Sequence, residues 1–128
     1  MKDLIKKVLI KKLNESLDKI DTSKIKIKVT DVNGLKVFIP FYEKDRMGAF
    51  RLKPFNDGFK IDSTLLYDRY QNQGIGKGMY SFIIKKLKEE NKPLYSDDAQ
   101  SPDAKRVWDS LVNNGLAIKI EDNKYKSL

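Results

Sequence analysis

The stretch YQNQGIGKGMY, residues 70–80, holds three glycines within five positions, with Lys77 between two of them. Ile75, Met79, Phe82, Ile83 and Leu87 recur at three- and four-residue spacing. An amphipathic helix therefore opens on the glycines and runs until Asn91 and Pro93 stop it. The first N–H groups of a helix have no partner within it, and they lie at the positive end of the helix dipole. Glycine removes the Cβ atoms that would hold an anion away from those donors. The stretch reads as a turn into a helix that receives phosphate.

Two common phosphate patterns fail on inspection. A P-loop requires a glycine five positions before Gly76-Lys77 and a hydroxyl residue after them, but the chain has Gln71 and Gly78 there. The dinucleotide fingerprint requires a third glycine at position 79, which is Met79. A third pattern, Q/R-x-x-G-x-G/A, is met by Gln71-Asn72-Gln73-Gly74-Ile75-Gly76.

Working outward, KIKIKVT (24–30) alternates with period two, Asn33-Gly34 offers a tight turn, and LKVFIPFY (35–42) is strand-like. MGAFRLKPF (47–55) and GFKIDSTLLY (58–67) flank a second hairpin signal at Asn56-Asp57-Gly58. Four antiparallel strands thus precede the glycines. Before them, Leu4, Ile5, Val8, Leu9, Leu13, Leu17 and Ile20 predict an amphipathic helix over residues 2–20. After the glycine helix come a short strand at 93–96 and a second helix. Ser101-Pro102 caps and starts that helix, and Gly115 ends it. A closing hairpin then turns about Asp122-Asn123.

With this order of elements around the six-residue motif, nearly the whole chain resembles the GNAT family of N-acetyltransferases. The resemblance implies a single α+β domain over residues 1–128, with a central, mostly antiparallel twisted sheet flanked by about three helices. It implies acetyl-CoA as the donor and direct attack by an amine, from a protein, a peptide or a small molecule. It assigns cofactor binding to Leu65, Leu66, Gln71, Asn72, Gln73, Gly74, Ile75, Gly76, Lys77, Gly78, Ser101 and Lys105. In the family the strand before the loop splays from its neighbour, which implies that the Leu66 amide polarises the thioester carbonyl.

The proton-transfer residues are less defined. Many family members place a tyrosine, the acid for the leaving thiolate, where this chain has Trp108, and an indole cannot donate a proton in that way. Tyr95, Tyr80 or water remain as donors. With no histidine, Asp97 is the leading candidate base, with Asp98, Asp62 and Glu43 as alternatives.

Composition narrows the classes further. The 128 residues contain no cysteine and no histidine, which leaves no thiolate nucleophile and no thiolate or imidazole metal site. No apolar run approaches the ~20 residues of a membrane span. Lysines interrupt the apolar positions of the first residues, which argues against a secretory signal and makes a cytoplasmic protein the expectation. The net charge of +8 would suit nucleic acid, yet 22 of the 26 basic residues are lysines rather than the arginines that grip phosphate bidentately. Two alternatives stay open: a GNAT-shaped coenzyme A-binding module without chemistry, and a basic nucleic-acid-binding protein.

Overall fold

A computed structural model describes residues 21–128, and the helix expected over residues 2–20 lies outside them. Among the described residues eight strands form one sheet: β1 (Ile25–Val32), β2 (Leu35–Tyr42), β3 (Asp45–Arg46), β4 (Gly48–Phe55), β5 (Gly58–Leu66), β6 (Leu94–Tyr95), β7 (Ala117–Glu121) and β8 (Lys124–Ser127). Their order across the sheet is β1-β2-β4-β5-β6-β8-β7, with β3 paired to β2 off that path. Two α-helices are described, α1 (Ile75–Glu89) and α2 (Pro102–Asn113). Single 3-10 turns stand at Thr22–Lys24 and Asp68–Tyr70.

The turn residues act where their chemistry directs. Asn33 and Gly34 both take positive φ (52° and 81°), which matches the twist of a two-residue hairpin between β1 and β2. Asn56 and Asn123 do the same work with φ of 50° and 61°. Ser101 Oγ accepts from the Ala104 N–H at 3.1 Å, and Pro102 follows at the first helical position.

Cross-strand register places Phe38 opposite Phe50, and Leu52 opposite Ile61, so these side chains share one face. Onto that face pack Met79, Ile83 and Leu87 of α1, and Trp108 and Leu111 of α2. Trp108 is fully buried, stacked on Tyr125 at 5.7 Å and tilted against Tyr80 at 5.6 Å. Its large ring anchors both helices to the sheet.

The feature that positions the site is a separation of two parallel strands. β5 and β6 pair only at Phe59–Leu94 and Lys60–Tyr95. Beyond Tyr95 the chain turns to β8: Ser96 N–H donates to the Tyr125 carbonyl at 3.0 Å, and Tyr125 N–H donates to Ser96 Oγ at 2.9 Å. β5 continues to Leu66, paired only on its β4 side and with its register shifted about Asp62. From Ile61 onward, roughly 20 Å of β5 edge faces away from any described strand. Lys60 Nζ bonds Asp98 Oδ2 at 2.8 Å, tying the post-β6 loop down beside the point of divergence.

Candidate active site

A groove of about 420 Å³ lies between the open edge of β5, the turn before α1 and one face of α2. Phe50, Thr64, Leu65 and Leu66 line it from the sheet. Gln71, Asn72, Gly74, Gly76, Lys77 and Tyr80 line it from the turn and α1. Ser101, Asp103, Ala104, Arg106, Val107 and Ser110 line it from α2.

The turn is built by its own side chains. Gln71 Nε2 donates to the Leu66 carbonyl at 2.9 Å, and Gln73 Nε2 to the Arg69 carbonyl at 2.9 Å. Asn72 (φ 60°) and Gly74 (φ 76°) reverse the chain in left-handed conformations, and the buried Ile75 side chain anchors the helix start.

The two helix starts differ in a telling way. α2 is capped by Ser101 and carries Asp103 in its first turn, so its positive end is satisfied internally. α1 has no side-chain cap and no acid in its first turn; it has Lys77 there instead. The first hydrogen bond of α1 runs from the Gly78 N–H to the Gly74 carbonyl at 3.0 Å. The N–H groups of Ile75, Gly76 and Lys77 come before it and have no intrahelical partner. A Cβ built on Gly74 or Gly76 meets nothing within 4 Å, so both positions face open space. A lysine beside an uncapped, positive helix end is electrostatically unfavourable alone and is relieved by an anion.

At the other end, the Tyr67 N–H is taken by the Met47 carbonyl at 2.9 Å, on the β4 side. N–H groups alternate between the two edges of a strand, so the Leu66 N–H points to the edge that β6 has left. A fixed main-chain donor and an uncapped helix start thus share one groove.

The expected site residues fall into three groups. Leu65, Leu66, Gln71, Asn72, Gly74, Gly76, Lys77 and Ser101 line the groove. Gln73, Ile75 and Gly78 lie within the same turn and helix start but serve internally, through the bonds and burial just given. Lys105 is exposed and outside the lining, where its neighbour Arg106 stands, paired with Asp103.

Tyr95 departs from the expected catalytic set. Its hydroxyl donates to Asp57 Oδ1 at 2.6 Å and its ring meets Phe55 at 5.0 Å, away from the groove lining. Strand alternation accounts for this, since Leu94 enters the core and Tyr95 must face the other way. Asp97 is half-buried and outside the lining, though its charge is close enough to act on the Tyr80 phenol. The other carboxylates are engaged elsewhere: Asp98 with Lys60, Asp62 with Lys53 at 3.9 Å, and Glu43 with Lys24 at 3.6 Å. The Lys60 hydrogen bond holds the Asp98 carboxyl below its ordinary range.

Tyr80 is the phenol the groove does contain. Burial, opposed by a Thr64 hydrogen bond and reinforced by Asp97, pushes it up to about 12. A phenol raised in the folded state stabilises the fold fully below its unfolded value near 10, and that contribution is lost as pH climbs toward 12. Stability in urea is therefore expected to fall between about pH 9 and 12, with Tyr80 responsible for up to about 3 kcal/mol. Tyr80→Phe should show a correspondingly smaller fall, and an unchanged one would contradict the assignment.

Comparison with solved structures places this architecture. It matches a GNAT family acetyltransferase from Elizabethkingia anophelis with acetyl-CoA bound, with TM-score 0.61 and 15% identity over 77% of this chain and 78% of that one. It also matches the IAA acetyltransferase from Bacillus cereus ATCC 14579, with TM-score 0.60 and 11% identity over 76% and 79%. The ribosomal-protein-S18-alanine N-acetyltransferase from Escherichia coli follows, with TM-score 0.55 and 17% identity over 63% of this chain and 54% of that one. The chain has the GNAT fold. No protein-family model and no curated protein matches it. Among the described residues, no helix is long and apolar enough to cross a membrane.

Proposed function

We propose that this protein is an N-acetyltransferase that moves an acetyl group from acetyl-CoA to a primary amine. One observation carries the reading: the uncapped, glycine-lined start of α1 and the outward Leu66 N–H open into the same groove. The neighbour from Elizabethkingia anophelis binds acetyl-CoA on the same fold, which supports the choice of donor.

When bound, acetyl-CoA supplies the acetyl group as an activated thioester, which the amine attacks directly. The N–H groups of Ile75, Gly76 and Lys77 hold the diphosphate, with the ammonium of Lys77 and the guanidinium of Arg106 adding charge. The free edge of β5 orients the pantetheine arm as an added strand. The Leu66 N–H lies where negative charge grows on the thioester oxygen, and such a fixed donor is worth ~10²–10³ in rate. Asp97 takes the proton that the amine loses. The groove is open along the sheet edge, which admits a peptide or protein amine as readily as a small one.

Trp108, buried in the core where the family commonly carries a tyrosine, favours a second reading as a coenzyme A-binding module without turnover. The deciding assay is release of coenzyme A from acetyl-CoA with a panel of small amines, polyamines and lysine- or amino-terminal peptides. Turnover with any acceptor is the expected result. Binding without release across the panel selects the module instead.

A further inference from the structure

The two edge strands of the sheet are built differently. β1 carries Lys26 and Lys28 exposed on one face, the charged guard that keeps a strand edge from pairing with another chain. β7, at the other end, has β8 on one side and no described strand on the other. The Leu128 N–H donates to the Leu116 carbonyl at 3.0 Å, so by alternation the main-chain groups of Ala117 and Lys119 point out of the sheet edge. Ile118 lies opposite Lys126, which lies opposite Tyr95, so Ile118 stands on the face turned away from the helices. Ile120 follows two residues on, where a register shift leaves it without a partner on β8. Leu116, Ile118, Ile120 and Leu128 are 42%, 43%, 49% and 56% exposed, and they make up half of the eight large apolar side chains exposed among the described residues. An open strand edge beside such a cluster is a surface suited to pairing.

We infer that β7 is the contact surface for a second copy of this chain, the two β7 strands pairing antiparallel about a two-fold axis at Ile120. The charge order of the strand selects both the occupant and the register. Lys119-Ile120-Glu121 is its own complement when reversed. An axis at Ile120 sets Lys119 against Glu121 of the second copy, twice, with the two Ile120 side chains facing each other. An axis one residue to either side sets Lys119 against Lys119 or Glu121 against Glu121, and like charges directly opposite are unfavourable. In the single chain both charges meet only their own hairpin, Lys119 with Asp122 at 3.8 Å and Glu121 with Lys124 at 3.5 Å. Exposed pairs of this kind hold little energy, so both groups are available to pair across the axis. Ile118 of each copy falls diagonal to Ile120 of the other, and four isoleucines close into one apolar strip. The contact is at the low end of interface sizes, which sets the expected association at ~10–100 µM. No residue of β7 lines the groove, so pairing leaves the groove open.

Sedimentation equilibrium of the full chain at low salt is expected to show the average mass rise from 14.8 kDa toward twice that value as concentration climbs through ~10–100 µM. Lys119→Glu and Glu121→Lys each set like charges together twice and should weaken association about tenfold or more. Mixed in equal amounts, the two variants regain opposite charges at both contacts and should associate within about threefold of the parent. The double variant, with its charges exchanged, should do the same. Ile120→Lys, at an exposed position, should abolish association. Urea unfolding of each variant at concentrations well below that range should match the parent, which keeps a folding defect apart from a contact defect. Mass that stays at 14.8 kDa at every concentration would mean that β7 is bare or covered from within the chain, and overturns the inference. So does association that the single charge reversals leave unchanged, or that their mixture fails to restore. Growth beyond twice the monomer mass overturns it as well, since a two-fold contact closes on itself.

Discussion

Gly76→Val is expected to weaken acetyl-CoA binding about 100-fold or more while leaving the fold as stable as before. The two halves of that expectation have separate causes. A Cβ at Gly76 meets no atom of the protein within 4 Å, so the added side chain strains nothing. Glycine is among the poorest helix formers, about 0.5–1 kcal/mol worse than ordinary residues, so a side chain inside α1 favours the helix slightly. The same side chain projects into the groove in front of the unpaired N–H groups, where it displaces the diphosphate. Gly74 is the less informative target, because its φ of 76° would strain any other residue whether or not a ligand binds there. Calorimetric titration alongside urea unfolding separates the effects. Equal affinity in the variant would remove the glycines from the binding account.

Gly48→Ala should have the opposite profile, a large loss of stability from one methyl group. Gly48 opens β4 opposite Leu66, and a Cβ there would lie 1.9 Å from the Leu65 carbonyl oxygen and 2.8 Å from its carbon. Both are backbone atoms of β5, so no side-chain rotation relieves the clash. The strands must part at the point where the Tyr67 N–H donates to the Met47 carbonyl. A cost of about 3 kcal/mol or more follows, a large share of the total stability of a domain this size. Because the displaced segment carries the Leu66 N–H, acetyl-CoA affinity should fall with stability, unlike in Gly76→Val. A variant as stable as the parent in urea would show that β4 and β5 do not approach so closely.

These two glycines show which parts of the molecule the sequence displays and which it conceals. Gly74 and Gly76 announce themselves through a local motif. Asn33-Gly34, Ser101-Pro102 and Gly115 likewise mark turns and helix ends by chemistry that acts within a few residues. The element order and the glycine-rich turn into α1 were legible for that reason. Gly48 is different, since the reason for glycine lies across the sheet at Leu65. Gly58 is similar, with a built Cβ 2.1 Å from the Pro93 carbonyl oxygen. The splay of β5 from β6 depends on Ser96 finding Tyr125, a partner 29 residues away that no local pattern reveals. Tyr95 and Tyr80 were indistinguishable as phenols, and strand alternation sent one toward Asp57 while helix phase sent the other to the groove. On α2 a signal was available. Ser101, Ala104 and Val107 form an i, i+3 stripe along the groove, and Arg106 rather than Lys105 lies beside it.

The central claim is that main-chain donors at the start of α1 hold the diphosphate of a thioester carrier. Calorimetric titration of the unmodified protein with acetyl-CoA, and in parallel with acetyl-pantetheine, addresses it most directly. Saturable heat in the micromolar range for acetyl-CoA is the predicted result, with binding about 100-fold weaker for the fragment that lacks the diphosphate. No heat from acetyl-CoA at millimolar concentration, or equal affinity for the two ligands, would contradict the claim.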